Sequence, residues 1–499
     1  MAGTITHRVQ QFFSQPWHFI GFIVFYIIHN WLLNFDLVAS SSLIAIFALL
    51  LSFGLIFYTL FKRLLRDKGK AALMTTLTEF TLLYFGTLQD SFTNSASIAF
   101  MGEMQVLLPG LLMILVVLYF LLKKRVGNIK ESVHQYLNAA LCLFLVFELM
   151  AFGLGFDKAR LTDITPDDLT FSVHGCDTCK KPPIFIIVMD EYTGADGQQN
   201  YFNTSSQDFE NELKRRNFRV VPHSRSNYIF TVFSMASFFN MQYLTDFGEH
   251  NAENTFSYQR SLRSIRKNLF VEYLLTQGYT INNFSAFDLP SKAASYRNSF
   301  LPKDWVLLLN ETLYYRFMMV LPNFLVRKVG NATVQGWLNK RASSDNENLL
   351  GIPLPASISD TSKQFYYLHL MMPHAPYLLN ENGQYNAFEI TDERSPQKDS
   401  MYIHYLKYTN KRILDLVDRI QQITNGKGVI VLMSDHGFRE MHQPRKYTEL
   451  SYANFFSVYS PNNDYRGFTD SLTVVNELRV VLNNQFHEQI PLLKDSMVH

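Results

Sequence analysis

The chain has 499 residues, with 45 basic and 43 acidic side chains and a formal net charge of +2. So near a balance gives no pointer to nucleic acid, and the length exceeds one ordinary domain. Hydrophobic residues make up 47% of the chain and crowd into the first 156 positions, the signature of a membrane-embedded N-terminal domain.

Five segments approach or exceed the roughly 20 apolar residues that a bilayer-spanning helix needs. They are His18–Val38, Ser42–Phe61, Ala71–Phe92, Val106–Leu122 and Tyr136–Phe156. The third is the weakest, because Glu79 and Asp90 interrupt it. Lys62, Arg63, Arg66, Lys68 and Lys70 fill the loop after the second segment, and Lys123, Lys124, Arg125 and Lys130 the loop after the fourth. Positive charge in alternate loops predicts a cytoplasmic N-terminus, five spans (residues 1–156) and a C-terminal domain on the other side. The first apolar stretch is long and lacks a small-residue cleavage site, so it reads as an anchor rather than a cleaved signal.

Residues 157–182 form a polar linker that holds Cys176 and Cys179. Outside the cytoplasm this pair is expected to close a tight disulfide loop, while Cys142 falls inside the fifth span. From 183 to 499, strand-like and helix-like patterns alternate. Pro183–Met189, Arg219–Pro222, Tyr279–Phe284, Phe365–Met371 and Gly428–Met433 read as strands, and Tyr405–Ile423 has helical periodicity. Such alternation predicts an α/β domain with a mostly parallel sheet flanked by helices. The Trp305–Val326 stretch is apolar but contains Glu311 and Arg316. A core helix of the α/β domain is the preferred reading there, ahead of an amphipathic helix on the membrane or a sixth span.

Two of the strand runs end in metal-ligand chemistry. Pro183–Met189 stops at Asp190-Glu191, and Gly428–Met433 runs through Ser434 into Asp435-His436-Gly437. Ligands bind just beyond the carboxyl ends of parallel strands, so these two ends can share one site. Asp190, Asp435 and His436 supply three oxygen or imidazole ligands, and a catalytic metal needs one further open position. A hydroxyl nucleophile is weak until a metal or a base activates it. Thr231, Ser234 and Ser237 are the candidates, in a segment that follows a strand.

These residues fall in recognisable patterns: Ile187-Val-Met-Asp190-Glu191-Tyr192-Thr-Gly-Ala195-Asp196, Asn227-Tyr-x-x-Thr231-x-x-Ser234-x-x-Ser237, His369-x-x-x-Pro373-His374-x-Pro376 and Ser434-Asp435-His436-Gly437. Over Pro183 to Phe486 the chain resembles the alkaline phosphatase superfamily. Within it, the chain is similar to the membrane-anchored sulfatase-like proteins, which include lipoteichoic acid synthases and lipid A phosphoethanolamine transferases. The resemblance implies Thr231 as nucleophile and ligand, with Asp190, Asp435 and His436 on the metal. It gives His374 to a second metal or to the transferred group. His369 reads as a buried structural residue near the same site, and His442 as a further ligand. The chain has Asp190-Glu191 where the pattern has Asp-Gly, which leaves the metal ligand open between the two, and Gly194 where the pattern has Arg. The Cys/Ser-x-Pro-x-Arg signature of formylglycine sulfatases is absent from the nucleophile segment.

The expected protein is a metal-dependent enzyme of the bacterial cytoplasmic membrane with its catalytic domain outside. It transfers or hydrolyses a phosphoester group, of phosphoethanolamine or phosphoglycerol type, on a lipid or envelope glycan, through a threonine intermediate. An oxygen-and-imidazole site suits zinc or manganese. The rivals are a sulfate ester or phosphodiester hydrolase and an inactive member serving as a membrane assembly or sensor protein. A lipid or lipid-linked partner is expected and nucleic acid is not; oligomeric state is left open.

Overall fold

A computed structural model describes residues 11–154 (except 36, 94 and 96), 179–244, 255–294, 304–329, 346–386, 397–439 and 447–498. The chain divides into two compact units. One comprises Met1–Leu161 with Pro302–Val329, the other Thr162–Leu301 with Gly330–His499.

The first unit is helical: α1 (His18–Leu33), α2 (Ser40–Leu65), α3 (Lys68–Leu83), α4 (Phe85–Thr93), α5 (Met104–Lys124) and α6 (Glu131–Gly153). Among the described residues α2, α5 and α6 are long and apolar enough to cross a membrane, and α1 is a shorter apolar helix of 16 residues. The expected count of five spans is therefore not reached here. The Ala71–Phe92 segment breaks at Tyr84 into α3 and α4, and α3 turns a polar stripe of Thr75, Thr78 and Glu79 into the bundle interior. Lys62 and Lys123 lie in the last turns of α2 and α5, and Lys68 and Lys70 in the first turn of α3.

The Trp305–Val326 stretch corrects the preferred sequence reading. It forms two helices, Asp304–Leu309 and Leu313–Val329, and these pack on the helical unit. Leu307, Leu308 and Leu309 share a core with Tyr26, Ile27 and Leu83. Tyr26 donates its hydroxyl proton to the Leu308 carbonyl at 2.9 Å. Arg316 grips Asp90 with two bonds of 2.9 and 2.7 Å. An apolar helical pattern shows that a helix is buried but not against which core, and here the partner is more than 200 residues upstream in sequence.

The second unit is built on a six-stranded sheet: β1 (Ile184–Met189), β2 (Arg219–Val221), β3 (Thr280–Phe284), β4 (Gln364–Leu370), β5 (Val429–Met433) and β6 (Phe456–Tyr459). The strand order is β2-β6-β5-β1-β4-β3. Neighbours from β5 to β3 pair in parallel, whereas β6 is antiparallel to both β5 and β2. The sheet is thus mixed. After β5 and the short helix Tyr447–Tyr452 the chain returns beside β5 as β6, a reversal that antiparallel pairing allows without a crossover. All five expected strands are present; β6, four residues long, is the one that the strand pattern did not disclose.

Alternation along β1 decides the layers. Ile184, Ile186 and Val188 face α7 (Thr231–Asn240), and Phe185, Ile187 and Met189 face α8 (Lys398–Ile423). The C-terminal α9 (Val474–Phe486) joins α7 on its side. Every side chain of β1 and β5 is buried. Each contributes about 1.5–3 kcal/mol relative to exposure, so a polar group just past these strand ends stands on a rigid base.

Candidate active site

The carboxyl ends of β1, β4 and β5 bring Asp190, His369 and Asp435 together, with a ligand atom of each within 4.8 Å of the others. Adjacent parallel strands explain this: β1 lies between β4 and β5, so the ends of the three strands meet although nearly 250 positions separate Asp190 from Asp435. Asp435 Oδ1 accepts the backbone N–H groups of Glu191 and His436, each at 3.0 Å. Its Oδ2 is left facing His436 Nε2 at 3.3 Å. Asp190 Oδ2 takes contacts from His369 Nε2 at 3.3 Å and from the Thr231 hydroxyl at 3.5 Å.

The proton inventory leaves a gap at the centre. His436 Nδ1 lies 2.8 Å from the Gly437 carbonyl. A carbonyl only accepts, so Nδ1 carries the proton. Burial lowers the His436 pKa to about 4, against the opposing pull of Asp435, so the ring is neutral and its Nε2 is a bare lone pair. That lone pair faces Asp435 Oδ2, Asp190 Oδ1 at 4.0 Å and the Thr231 hydroxyl at 3.4 Å. Asp190 Oδ1 and Asp435 Oδ2 are buried and make no hydrogen bond among the described residues. Buried carboxylate oxygens that no donor satisfies are costly. A divalent cation satisfies all of them at once, and a mixed oxygen and imidazole set suits zinc or manganese. The residues present therefore fit the expected metal.

Burial alone works to raise the Asp190 carboxyl, but His374, His369 and His436 outweigh it and hold it below the usual carboxylate range. His369 receives its orientation from Tyr367, whose hydroxyl is 2.9 Å from Nδ1. Its other nitrogen, Nε2, contacts the Asp190 carboxylate.

Of the three candidate hydroxyls, Thr231 faces this cluster. Ser234 hydrogen-bonds the Asp435 carbonyl, and Ser237 donates to the Gln242 carbonyl at 2.6 Å. Thr231 is the first residue of α7, because Phe230 before it is extended (φ −118°, ψ 135°). A helix start carries partial positive charge and unpaired N–H groups, which favour an anion beside the hydroxyl. The helix ends at Met241 in the left-handed region (φ 55°).

Glu191 turns elsewhere. Its Oε1 accepts the Arg439 N–H at 2.8 Å, and its Oε2 is 3.7 Å from His374 Nε2. Its backbone is left-handed, with φ 61°, which is why a glycine suits this position in the related pattern. The Glu191 backbone N–H still donates to Asp435 Oδ1 at 3.0 Å, while the side-chain contacts to Thr231 and His369 come from Asp190. Two glycines in the motifs are fixed by crowding. A Cβ on Gly194 would meet the Asn454 carbonyl at 2.1 Å, and one on Gly437 the Leu450 carbonyl at 2.2 Å. No arginine can therefore stand at position 194.

His374 joins a second group. Its Nδ1 lies 2.6 Å from the Ala375 carbonyl, and its Nε2 lies 3.2 Å from the Arg439 guanidinium. Burial lowers its basicity, but Glu191 and Asp190 reverse the direction and raise it. Sequence reasoning missed Arg439, which no periodicity marks; its place two residues after Gly437 was the available signal. His442 and Cys176 lie outside the described residues. Cys179 is disulfide-bonded, and Cys142 is free.

No family model and no curated protein matches the chain. Among solved structures it is similar to the integral membrane protein lipooligosaccharide phosphoethanolamine transferase A from Neisseria meningitidis, at 14% identity and a TM-score of 0.38, covering 94% of this chain and 95% of that one. It is also similar to the C-terminal periplasmic domain of EptC from Escherichia coli in complex with Zn, at 11% identity and a TM-score of 0.36, covering 63% of this chain and 87% of that one. A third likeness is to a protein in the alkaline phosphatase superfamily from Vibrio parahaemolyticus, at 12% identity and a TM-score of 0.35, covering 65% and 72%. TM-scores this low carry no chemistry from those proteins to this one.

Proposed function

We propose that the chain is a membrane-anchored, metal-dependent enzyme that transfers or hydrolyses a phosphoester group through a covalent ester of Thr231. The observation that carries this reading is the convergence of the Thr231 hydroxyl, at 3.5 and 3.4 Å, on Asp190 and the neutral His436 ring, beside carboxylate oxygens with no donor. Asp190, Asp435 and His436 would hold the metal beside the Thr231 hydroxyl, with His369 on Asp190. When bound, a divalent metal lowers the hydroxyl pKa and offsets charge on the transferred group's oxygens.

The residues then have distinct roles. Thr231 Oγ1 loses its proton and forms a bond to phosphorus, while the bond from phosphorus to the leaving alcohol breaks and that oxygen gains a proton. The start of α7 stabilises the developing negative charge with its N–H groups. In the second half, an acceptor hydroxyl or water attacks phosphorus, the bond to Thr231 Oγ1 breaks, and the threonine is reprotonated. Transferase and hydrolase share these residues and differ in the acceptor. The membrane-length helices on the same chain favour a lipid or lipid-linked substrate. The charge pattern favours a bacterial cytoplasmic membrane with the α/β unit outside.

The test uses the full-length protein in detergent with para-nitrophenyl phosphodiester and sulfate ester substrates. The reading predicts release from the phosphodiester that a chelator stops and added zinc or manganese restores. Turnover that persists at full rate after metal removal would contradict it.

A further inference from the structure

Beside the proposed metal site lies a group of side chains that the proposed reaction does not use. It comprises Glu191, His374, Arg439 and Phe230. The family resemblance gives His374 to a second metal or the transferred group and leaves Glu191 as the alternative to Asp190 on the first; both engage one guanidinium. The Arg439 backbone N–H donates to Glu191 Oε1 at 2.8 Å, and its Nε lies 3.7 Å from the same oxygen. A terminal nitrogen of Arg439 is 3.2 Å from His374 Nε2. The guanidinium also stacks over the Phe230 ring at 5.2 Å, and Phe230 directly precedes Thr231. The cation is therefore anchored one residue from the proposed nucleophile.

Two further features set this group apart from a surface ion pair. Glu191 is fully buried and held at φ 61°, a conformation unfavourable for a non-glycine residue that persists where the surroundings demand it. Arg439 Nε is buried and makes no hydrogen bond among the described residues, so the guanidinium has donor capacity left over. A metal on His374 Nε2 would sit about 2 Å from that nitrogen, against a permanent positive charge.

We infer that Arg439 takes the place of a second metal ion, binding the non-bridging oxygens of the phosphoryl group that Thr231 attacks, with Glu191 and Phe230 aiming it. An arginine is charged at every working pH, and its planar fork matches two phosphoryl oxygens. The site then works with one metal per chain, and His374 serves to position the guanidinium. This inference rests on the proposed metalloenzyme reading.

The experiment measures zinc per chain and the affinity for inorganic phosphate on the zinc-loaded, full-length protein. The variants are Arg439→Met, Arg439→Lys and Asp435→Ala. The expected result is about one zinc per wild-type chain, kept in both Arg439 variants. Phosphate affinity falls at least tenfold in Arg439→Met and less in Arg439→Lys, which retains the charge without the fork. Retained zinc shows that the variants are folded. Two zinc ions per wild-type chain, or phosphate affinity in Arg439→Met within twofold of wild type, would overturn the assignment of Arg439. No zinc in the wild type, or zinc that Asp435→Ala retains in full, would instead overturn the metalloenzyme reading and this inference with it.

Discussion

Asp190 and Asp435 at the strand ends and Glu477 on α9 are all fully buried carboxylates, each with an oxygen that makes no hydrogen bond among the described residues. Around Asp190 stand His369, His374 and His436, and its carboxyl is held below the usual range. Around Glu477 the polar contact is Ser224 at 3.5 Å, and burial pushes its carboxyl well above the ordinary 4.5. One region keeps its charge buried because other ligand groups converge on it, and the other avoids the cost by remaining protonated. A buried acid is thus no sign of a metal by itself. The sign is several ligand groups converging on one point, with carboxylate oxygens there that make no hydrogen bond among the described residues.

The comparison can be broken most severely at Asp435. Asp435→Ala is expected to strip the bound metal and lower turnover by a factor of about 10³ or more; metal content after dialysis checks the first effect and a phosphodiester assay the second. Thr231→Ala should lower turnover by a similar factor while leaving metal content nearly unchanged. A wild-type rate in that variant would place the nucleophile elsewhere. His369→Ala, which removes a partner of Asp190, is expected to weaken metal binding by about 10–100-fold, read from competition with a chelator.

The smallest expected effect falls on the contrasting region. The folded pKa of Glu477 is raised above the unfolded value, so its contribution to stability is whole below about pH 4.5 and is lost as pH rises towards the folded value. Glu477→Gln, which cannot ionise, should raise the melting temperature at pH 8 and leave it nearly unchanged at pH 4. An equal shift at both pH values would mean that Glu477 is not held neutral by burial.

Much of this site can be read in the sequence because buried parallel strands are continuous apolar runs, and their ends are where ligands bind. Ile184–Met189 and Val429–Met433 announce themselves in that way, and Asp190, Asp435 and His436 follow directly. The choice among Thr231, Ser234 and Ser237 needed the structure, since spacing of three along a helix gives each hydroxyl a similar claim. Only contacts show that two of them are spent on backbone carbonyls. That Asp190 and Glu191 send adjacent side chains to different partners follows from a left-handed residue, which the sequence does not show. Arg439 lay in a loop without periodicity, and the 305–326 stretch met a core that no local pattern names. The β6 strand is too short to carry an alternation of its own.

The most direct test of the central claim is the mass of the full-length, metal-loaded protein quenched during turnover of a phosphodiester, followed by peptide mapping. The account predicts a mass increase confined to the peptide that contains Thr231, equal to the transferred phosphoryl group, and absent from Thr231→Ala. An adduct on a different side chain, or the same adduct in Thr231→Ala, would contradict it.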